Sequence, residues 1–268
     1  MHVLVVTNLS GGEGKTTIAR EVGFALRQLG FRVALIDADP QATLTKSLGL
    51  HLASPETAEE DLPAMQLGRT IFFSLADHRT PLPEPLHVQG VDLWPANKSL
   101  ARADGMLYAS EETLGHLRAA VQALDYDFVL IDTTPVRTAL LHAAVAAADG
   151  VIVPVSDAKG LENLVELMEV IQAARKFSYN LGIRLFVPNR QKANLNYHKK
   201  IQASLQELSQ IYPVSPVVGD RSAPLGAARE AGLPVVLHRP GSEVAAEFRA
   251  VAVSLLRALG VAMPEVGV

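Results

Sequence analysis

The hydrophobic pattern of this chain alternates between short apolar runs and longer amphipathic segments. The apolar runs are rich in Val, Ile and Leu and show no polar alternation, which is typical of strands covered on both faces. They lie at residues 2–7, 32–36, 91–95, 128–131, 151–155, 184–187 and 214–218. Segments of helical length lie between them, at residues 16–29, 111–124, 138–147, 161–176, 196–210 and 243–259. This alternation predicts a three-layer α/β fold, in which a mainly parallel sheet carries helices on both faces.

Residues 53–85 differ in character because this stretch contains five prolines. We expect a surface excursion here, with a short helix or strand at most. No other stretch resembles a linker, and the chain shows no repeat of about 20–50 residues. We therefore expect residues 1–268 to form one domain.

The amino-acid composition narrows the classes of protein to which this chain can belong. Hydrophobic residues make up 49% and charged residues 19% of the chain, which excludes disorder as the dominant state. Cys is absent, so disulfides, thiolate catalysis and thiolate metal sites are excluded. No apolar run reaches the about 18 residues of a membrane span, so we expect a cytoplasmic protein with no membrane partner.

A glycine-rich loop follows the first predicted strand and precedes the first predicted helix. Residues 10–17 read Ser-Gly-Gly-Glu-Gly-Lys-Thr-Thr. Glycines let successive backbone N–H groups turn toward an anion, and the helix N-terminus adds its positive dipole end at the same point. In this context we expect Lys15 to contact the β- and γ-phosphates of a nucleotide, and the Thr16 hydroxyl to bind Mg²⁺. The expected contacts to ATP or ADP in the loop are Gly11, Gly12, Glu13, Gly14, Lys15, Thr16 and Thr17.

Two carboxylates follow apolar strands. Asp39 and Asp132 are expected at the carboxyl edge of the sheet, beside the glycine-rich loop. A carboxylate at this position can hold Mg²⁺ through water, and we assign that role to Asp132. Asp37 is expected to support the loop and to touch the metal shell. The alternative for all three is that Asp at a strand end caps the next turn.

The charge distribution is uneven along the chain. The net charge of −4 argues against a nucleic-acid partner. However, residues 1–174 hold 12 basic and 22 acidic residues, whereas residues 175–268 hold 12 basic and 6 acidic residues. Either the C-terminal third faces a polyanion, or acidic residues gather near the nucleotide loops and the remaining asymmetry is chance.

Several motifs together resemble a known family. Leu9 stands where an ordinary phosphate loop needs Gly, and glycines at 11, 12 and 14 instead match the deviant form Lys-Gly-Gly-x-Gly-Lys-Ser/Thr. Residues 37–41 read Asp-Ala-Asp-Pro-Gln, residues 132–135 read Asp-Thr-Thr-Pro, and residues 153–155 read Val-Pro-Val. This combination resembles the ParA/MinD family of deviant Walker ATPases, and the resemblance runs through most of the chain.

The resemblance implies a weak ATPase that partitions DNA. Lys15 and Asp39 would be its catalytic residues, with Asp39 orienting or deprotonating the attacking water and joining Thr16 and Asp132 at the metal. Asn189 would contact the adenine. The resemblance also implies an ATP-bound homodimer on non-specific DNA in the nucleoid, and a centromere-binding, ParB-like partner that stimulates hydrolysis. The basic residues that would contact DNA are Lys199, Lys200, Arg221 and Arg229.

One position departs from the family pattern. Ser10 stands in place of the signature Lys, which reaches the partner's nucleotide across the dimer, and a Ser hydroxyl cannot supply that charge. A nucleotide-binding scaffold with little or no hydrolysis is therefore one alternative. A MinD-like membrane-associated positioning ATPase is another, but it needs a basic amphipathic C-terminal helix, and residues 260–268 contain no Lys or Arg.

Overall fold

The computed structural model describes residues 1–50, 69–107, 111–191 and 196–264. Its strands are β1 His2–Val6, β2 Val33–Ala38, β3 Leu86–Val88, β4 Val91–Trp94, β5 Phe128–Thr133, β6 Gly150–Val155 and β7 Ile183–Pro188. These strands form one sheet with the order β3-β4-β2-β5-β1-β6-β7. All neighbours are parallel except the β3–β4 hairpin at one edge, so the mainly parallel sheet is confirmed.

The helices follow the strands in chain order. They are α1 Lys15–Gln28, α2 Thr43–Ser47, α3 Phe72–Ala76, α4 Arg102–Leu107, α5 His116–Gln122, α6 Ala139–Ala147, α7 Ala158–Glu162, α8 Leu164–Ala174, α9 Asn196–Leu208, α10 Ser222–Glu230, α11 Val235–His238 and α12 Glu243–Leu259. Two 3₁₀ helices span Lys98–Ala101 and Glu111–Gly115. Within the described part of the chain, no helix is long and apolar enough to cross a membrane.

The core consists of two layers, one on each face of the sheet. Along β1, Val3 and Val5 pack into one layer, whereas Leu4 and Val6 pack into the other. This alternation arises because successive strand side chains point to opposite faces. Helices α3 to α6, α8 and α9 contribute to the first layer, and α1, α2 and α10 to α12 contribute to the second. The predicted three-layer architecture is therefore confirmed.

The strand register places the candidate carboxylates. Val6 of β1 and Asp37 of β2 both pair with Asp132 of β5. The carboxyl ends of these three central strands therefore meet at one edge of the sheet. The loop between β1 and α1 starts at this same edge, so the fold brings the glycine-rich loop and the aspartates together.

Two expectations about the fold are corrected. The run at 214–218 makes one isolated parallel bridge, at Val214, with a second at Gly219 just after it, and is not a strand of the sheet. Pro213 and Pro216 lack the N–H groups that a ladder requires, which explains the difference. The sequence pattern also missed β3.

The predicted excursion at 53–85 is in part a core element. Residues 53–68 lie outside the described residues, but α3 follows them, and Ile71 and Leu75 are fully buried in the first core layer. The Ser74 hydroxyl donates to the Pro81 carbonyl at 2.8 Å, and the Trp94 indole donates to the Pro83 carbonyl at 2.6 Å. These contacts hold the proline-rich segment against the domain, so its described part is not a detached surface excursion.

Candidate functional site

The glycine-rich loop runs from β1 to α1 at the carboxyl edge of the sheet. Gly12 and Gly14 have positive φ angles of 85° and 86°, which side chains rarely tolerate. Gly14 also precedes the first residue of α1, and no side chain caps that helix N-terminus. The first N–H groups of α1 are therefore directed toward the loop, and this arrangement suits an anion.

Lys15 lies buried at the start of α1. Its Nζ donates to the Ser10 carbonyl at 2.8 Å, across the loop. Burial lowers the pKa of Lys15, whereas the charges of Asp132, Glu13 and Asp39 raise it. The ammonium group thus lies inside the loop with carboxylates around it, as the sequence motif predicts.

Asp132 ends β5 and is fully buried. Neither of its carboxylate oxygens has a hydrogen-bond partner among the described residues. Burial and the neighbouring charge of Asp37 raise the pKa of Asp132 well above its usual value, while the Thr16 hydroxyl and Lys15 oppose this rise. A buried carboxylate without a partner, next to a hydroxyl, fits a hydrated Mg²⁺ ion, because the ion supplies both charge and water donors.

The described residues do not form a metal site made of protein ligands alone. No group of three or more His, Asp or Glu side chains lies close enough together to hold an ion. Mg²⁺ commonly binds through one or two carboxylates together with substrate phosphates and water. Thr16 and Asp132 therefore fit an ion that arrives with a nucleotide.

Asp37 and Asp39 have different surroundings at the end of β2. Asp37 accepts hydrogen bonds from Thr45 and from the Asp39 N–H, and burial raises its pKa to about 6. Asp37 thus supports the turn and α2, and its contact with the metal shell stays a prediction. Asp39 is nearly buried and accepts from the Gln41 N–H at 2.8 Å, a turn-capping contact. Its charge acts on both Lys15 and Asp132, so the fold brings these three groups together.

The side chain of Glu13 points away from the glycine-rich loop, toward Ser156. It is fully buried, and its carboxylate accepts a hydrogen bond from the Ser156 N–H after β6. Burial raises the pKa of Glu13, and the nearby charge of Asp157 adds to the rise. The sequence analysis expected Glu13 among the residues of the loop that contact the nucleotide. The carboxylate lies instead outside the loop, and only the backbone of Glu13 remains a candidate phosphate contact.

Asn8 was missed by the sequence analysis. Its side-chain amide donates to the carbonyls of Pro154 and Gly160, at 2.9 and 3.1 Å, and its Oδ1 accepts from the Ser10 N–H at 3.0 Å. The residue is fully buried, so these bonds fix the start of the loop against β6 and α7. No motif indicates this role, because it depends on residues about 150 positions away.

A cavity of about 160 Å³ lies beside the loop. The residues that line it include Gly14, Thr17, Asn189, Arg190, Asp220, Arg221 and Ser222. Asn189 is buried, and its amide donates to the Glu13 carbonyl at 2.7 Å. The cavity adjoins the N-terminus of α1 through Gly14 and Thr17.

The predicted DNA contacts have different surroundings. Lys199 and Lys200 are exposed on α9, and Arg229 is exposed on α10 at the mouth of the cavity. Arg221 instead forms ion pairs with Glu243 and Glu247 of α12, at 2.7 and 2.9 Å. Arg221 is therefore already neutralised within the chain.

Known proteins resemble this chain in sequence. Residues 1–183 match the family model described as AAA domain. The chain is 34% identical over 237 residues to the probable plasmid-partitioning protein ParA of Thermus thermophilus, which covers 85% of this chain and 70% of the relative.

Solved structures share the whole fold. A variant of Cyanothece McdA in complex with ATP superposes with a TM-score of 0.80 at 25% identity, covering 98% of this chain and 97% of that chain. Cobyrinic acid a,c-diamide synthase from Mycobacterium smegmatis, with bound ADP and magnesium, has a TM-score of 0.74 at 25% identity and covers 98% of both chains. Structures of the same architecture thus hold adenine nucleotides, and one of them holds magnesium as well.

Proposed function

We infer the function of this chain from its family, since the chain belongs to the ParA/MinD family of partition ATPases. The proposed function is ATP-dependent DNA partition, in which the chain binds ATP with Mg²⁺ and binds DNA as a nucleotide-controlled dimer. One observation carries this proposal. The N-terminus of α1, which no side chain caps, and Lys15 lie beside the buried carboxylate of Asp132. The oxygens of this carboxylate have no hydrogen-bond partner among the described residues.

The proposal gives each residue of the site a role. Lys15 and the N–H groups of residues 11–17 bind the phosphates, while Thr16 and Asp132 hold Mg²⁺, with Asp39 at its water shell. When bound, the metal neutralises charge on the β- and γ-phosphate oxygens. Asp39 orients the attacking water and accepts its proton as the bond between the γ-phosphorus and the bridging oxygen breaks, which leaves ADP and phosphate. The Asn189 side chain and the cavity beside it take the adenine.

The charge distribution supports DNA as the partner. The net charge of residues 175–268 is +6, from 12 basic and 6 acidic residues, on an otherwise acidic chain. Contacts of Lys199, Lys200 and Arg229 to phosphates need positive charge but no base-reading motif. A centromere-binding, ParB-like protein is the proposed stimulator of hydrolysis, and the cytoplasmic nucleoid is the proposed location.

The proposed binding of nucleotide is tested by calorimetry with ADP and Mg²⁺. The wild-type chain is expected to bind, and Lys15→Ala to lose at least tenfold in affinity, because a buried charge-assisted contact is removed. Lys176→Ala is the matched control, because this exposed lysine follows α8 and pairs with Glu111. Absence of binding by the wild-type chain would contradict the proposed function.

The DNA part is tested by filter binding of random duplex DNA across a salt series. With ATP, retention is expected at low salt and a steep loss as salt rises, because counterions are released from DNA on binding. Without nucleotide, retention is expected to be weaker. Equal retention with and without ATP, or none at low salt, would remove DNA partition as the function.

A second candidate is a nucleotide-binding scaffold with little hydrolysis, and the surroundings of Ser10 favour it. Ser10 is buried, its N–H is bonded to Asn8, and its carbonyl accepts from Lys15, so it brings no charge to the phosphates. Single-turnover hydrolysis with and without DNA separates the two candidates. A rate that rises in Ser10→Lys would identify the missing charge as the cause of slow turnover.

A further inference from the structure

Two adjacent side chains after β7 hold two adjacent carbonyls of the glycine-rich loop. The Asn189 amide donates to the Glu13 carbonyl at 2.7 Å, and the Arg190 Nη1 donates to the Gly12 carbonyl at 3.0 Å. Glu13 also accepts a backbone N–H bond from Ser156 through its side chain. The outside of the loop is thus fastened at consecutive peptide units.

Neighbouring residues at the end of a strand cannot normally make such a pair of contacts. In extended backbone, successive side chains point to opposite faces. Here Arg190 has a φ of 54°, in the left-handed region that residues other than Gly rarely adopt. This conformation breaks the alternation and lets both side chains reach the loop.

The surrounding backbone keeps Arg190 in this conformation. The Asn189 N–H donates to the Val155 carbonyl at 2.8 Å, and the Gln191 N–H donates to the Val218 carbonyl at 3.1 Å. The Gln191 amide also donates to the Asn189 carbonyl at 2.9 Å. Strained backbone persists only where its surroundings determine it, and such sites gather where function needs a fixed geometry.

We propose that Arg190 is a positioning residue of the nucleotide site, which, together with Asn189, holds the peptide groups of the loop in the orientation that binds phosphate. This inference rests on the proposed function. In a planar trans peptide the C=O and N–H groups point in opposite directions. Holding the Gly12 and Glu13 carbonyls outward therefore turns the N–H groups of Glu13 and Gly14 inward, toward the anion. In this proposal Arg190 acts through the Gly12 carbonyl of the loop, and its side chain also lines the cavity beside Asn189.

We call the hydrogen bond from Arg190 to the Gly12 carbonyl the clamp. The decisive variants remove this clamp without adding backbone strain. Arg190→Gly relieves the left-handed conformation, and Arg190→Asn tolerates it but is too short to reach Gly12. Both are expected to bind ADP with Mg²⁺ about tenfold more weakly, while the melting temperature of the nucleotide-free protein stays the same or rises. Arg190→Lys retains a donor and is expected to recover most of the affinity.

A matched control lies at the far edge of the sheet. Gln89 is also a left-handed residue, with a φ of 51°, in the turn between β3 and β4. Gln89→Gly relieves the same kind of strain and is expected to leave ADP affinity unchanged. Repeating the calorimetry at high salt separates a clamp from a long-range charge effect, because salt screens an exposed charge but not a fixed loop geometry.

The outcomes distinguish this inference from the proposed function. If the wild-type chain binds no ADP, the proposed function fails first. If the wild-type chain binds and both Arg190 variants bind equally well, the clamp is overturned and the function stands. Affinity loss that disappears at high salt, or that only accompanies a fall in melting temperature, also overturns the clamp. A loss that persists at high salt in a protein of unchanged stability supports it.

Discussion

Thr45 donates both its backbone N–H and its hydroxyl to one carboxylate oxygen of Asp37, at 2.9 and 2.7 Å. The Thr45 hydroxyl also accepts from the Ala96 N–H at 3.0 Å, which connects β2 and α2 to the segment after β4. All of these groups are buried. Asp37 therefore stabilises the turn that carries Asp39, the proposed water-orienting residue.

Thr45→Val is expected to lower the free energy of unfolding by about 2–3 kcal/mol, because it leaves the buried Asp37 oxygen and the Ala96 N–H without their hydroxyl partner. Thr45→Ser keeps the hydroxyl and is the matched control, with a loss of about 1 kcal/mol or less. Urea denaturation followed by circular dichroism measures both values. A loss in Thr45→Ser together with wild-type stability in Thr45→Val would mean that packing of the methyl group, and not the hydrogen bonds, stabilises this turn.

Gly14→Ala is expected to abolish ADP binding. A Cβ at this position would lie 2.1 Å from the Asn189 Nδ2, and the φ of 86° disfavours any side chain. Relief of the clash requires Asn189 to give up the Glu13 carbonyl, so the loop loses its geometry. Calorimetry with ADP and Mg²⁺ measures the loss.

Gly105→Ala is the control for this substitution. Gly105 lies in α4, where an added Cβ meets no atom within 4 Å. This variant is expected to keep ADP affinity and to gain about 0.5–1 kcal/mol of stability, since Ala loses less backbone entropy in a helix than Gly. Normal ADP binding by Gly14→Ala would show that the loop does not depend on its fit against Asn189.

The parts of the site that the sequence predicted are local. The spacing of Gly12, Gly14 and Lys15 after one apolar strand predicts a phosphate loop, and Asp132 at the end of another strand predicts its neighbour, because parallel strands end at one edge. These predictions depend on the period of the apolar pattern and on a short motif. Both can be read without knowing any tertiary contact.

The parts that the sequence did not predict depend on distant residues. Glu13 meets Ser156 across 143 positions, and Arg190 meets Gly12 across 178. No local pattern indicates such contacts, so the sequence does not show that the Glu13 side chain lies outside the loop. The short helix α2 was missed because its first turn follows Ala42, which is not a capping residue that marks a helix start. The short helix α3 lies in the segment where the sequence predicts a short helix or strand at most.

Substitutions of Arg221 and of the lysines on α9 are expected to affect DNA binding differently. Arg221 is paired with Glu243 and Glu247, whereas Lys199 and Lys200 are exposed. Each lost phosphate contact lowers the slope of log affinity against log salt by about 1. Fluorescence anisotropy with random duplex DNA should show a reduced slope for the Lys199→Ala, Lys200→Ala double variant and an unchanged slope for Arg221→Ala. A reduced slope for Arg221→Ala would mean that its ion pairs open in the DNA complex.

His142 makes stability depend on pH. Its Nε2 is buried without a hydrogen-bond partner among the described residues, beside a cavity of about 90 Å³ lined by Ala146, Val170 and Phe177. Burial, with the charge of Arg137, lowers the pKa of His142 below its usual 6.5. The folded state therefore takes up a proton less readily than the unfolded state, so stability is fully present above pH 6.5 and falls as the pH drops through the lowered pKa.

His142→Leu is expected to remove this dependence of the free energy of unfolding on pH. It is also expected to raise the free energy of unfolding at pH 7 by about 1 kcal/mol, because it replaces a buried nitrogen that has no hydrogen-bond partner among the described residues with an apolar group of similar size. Urea denaturation at pH 7 and pH 5 measures both effects. His116→Leu is the control, because the His116 ring contacts the Leu75 carbonyl at 3.0 Å and the substitution removes a contact that is made. If the wild-type chain and His142→Leu lose the same stability between pH 7 and pH 5, another group is responsible for the slope.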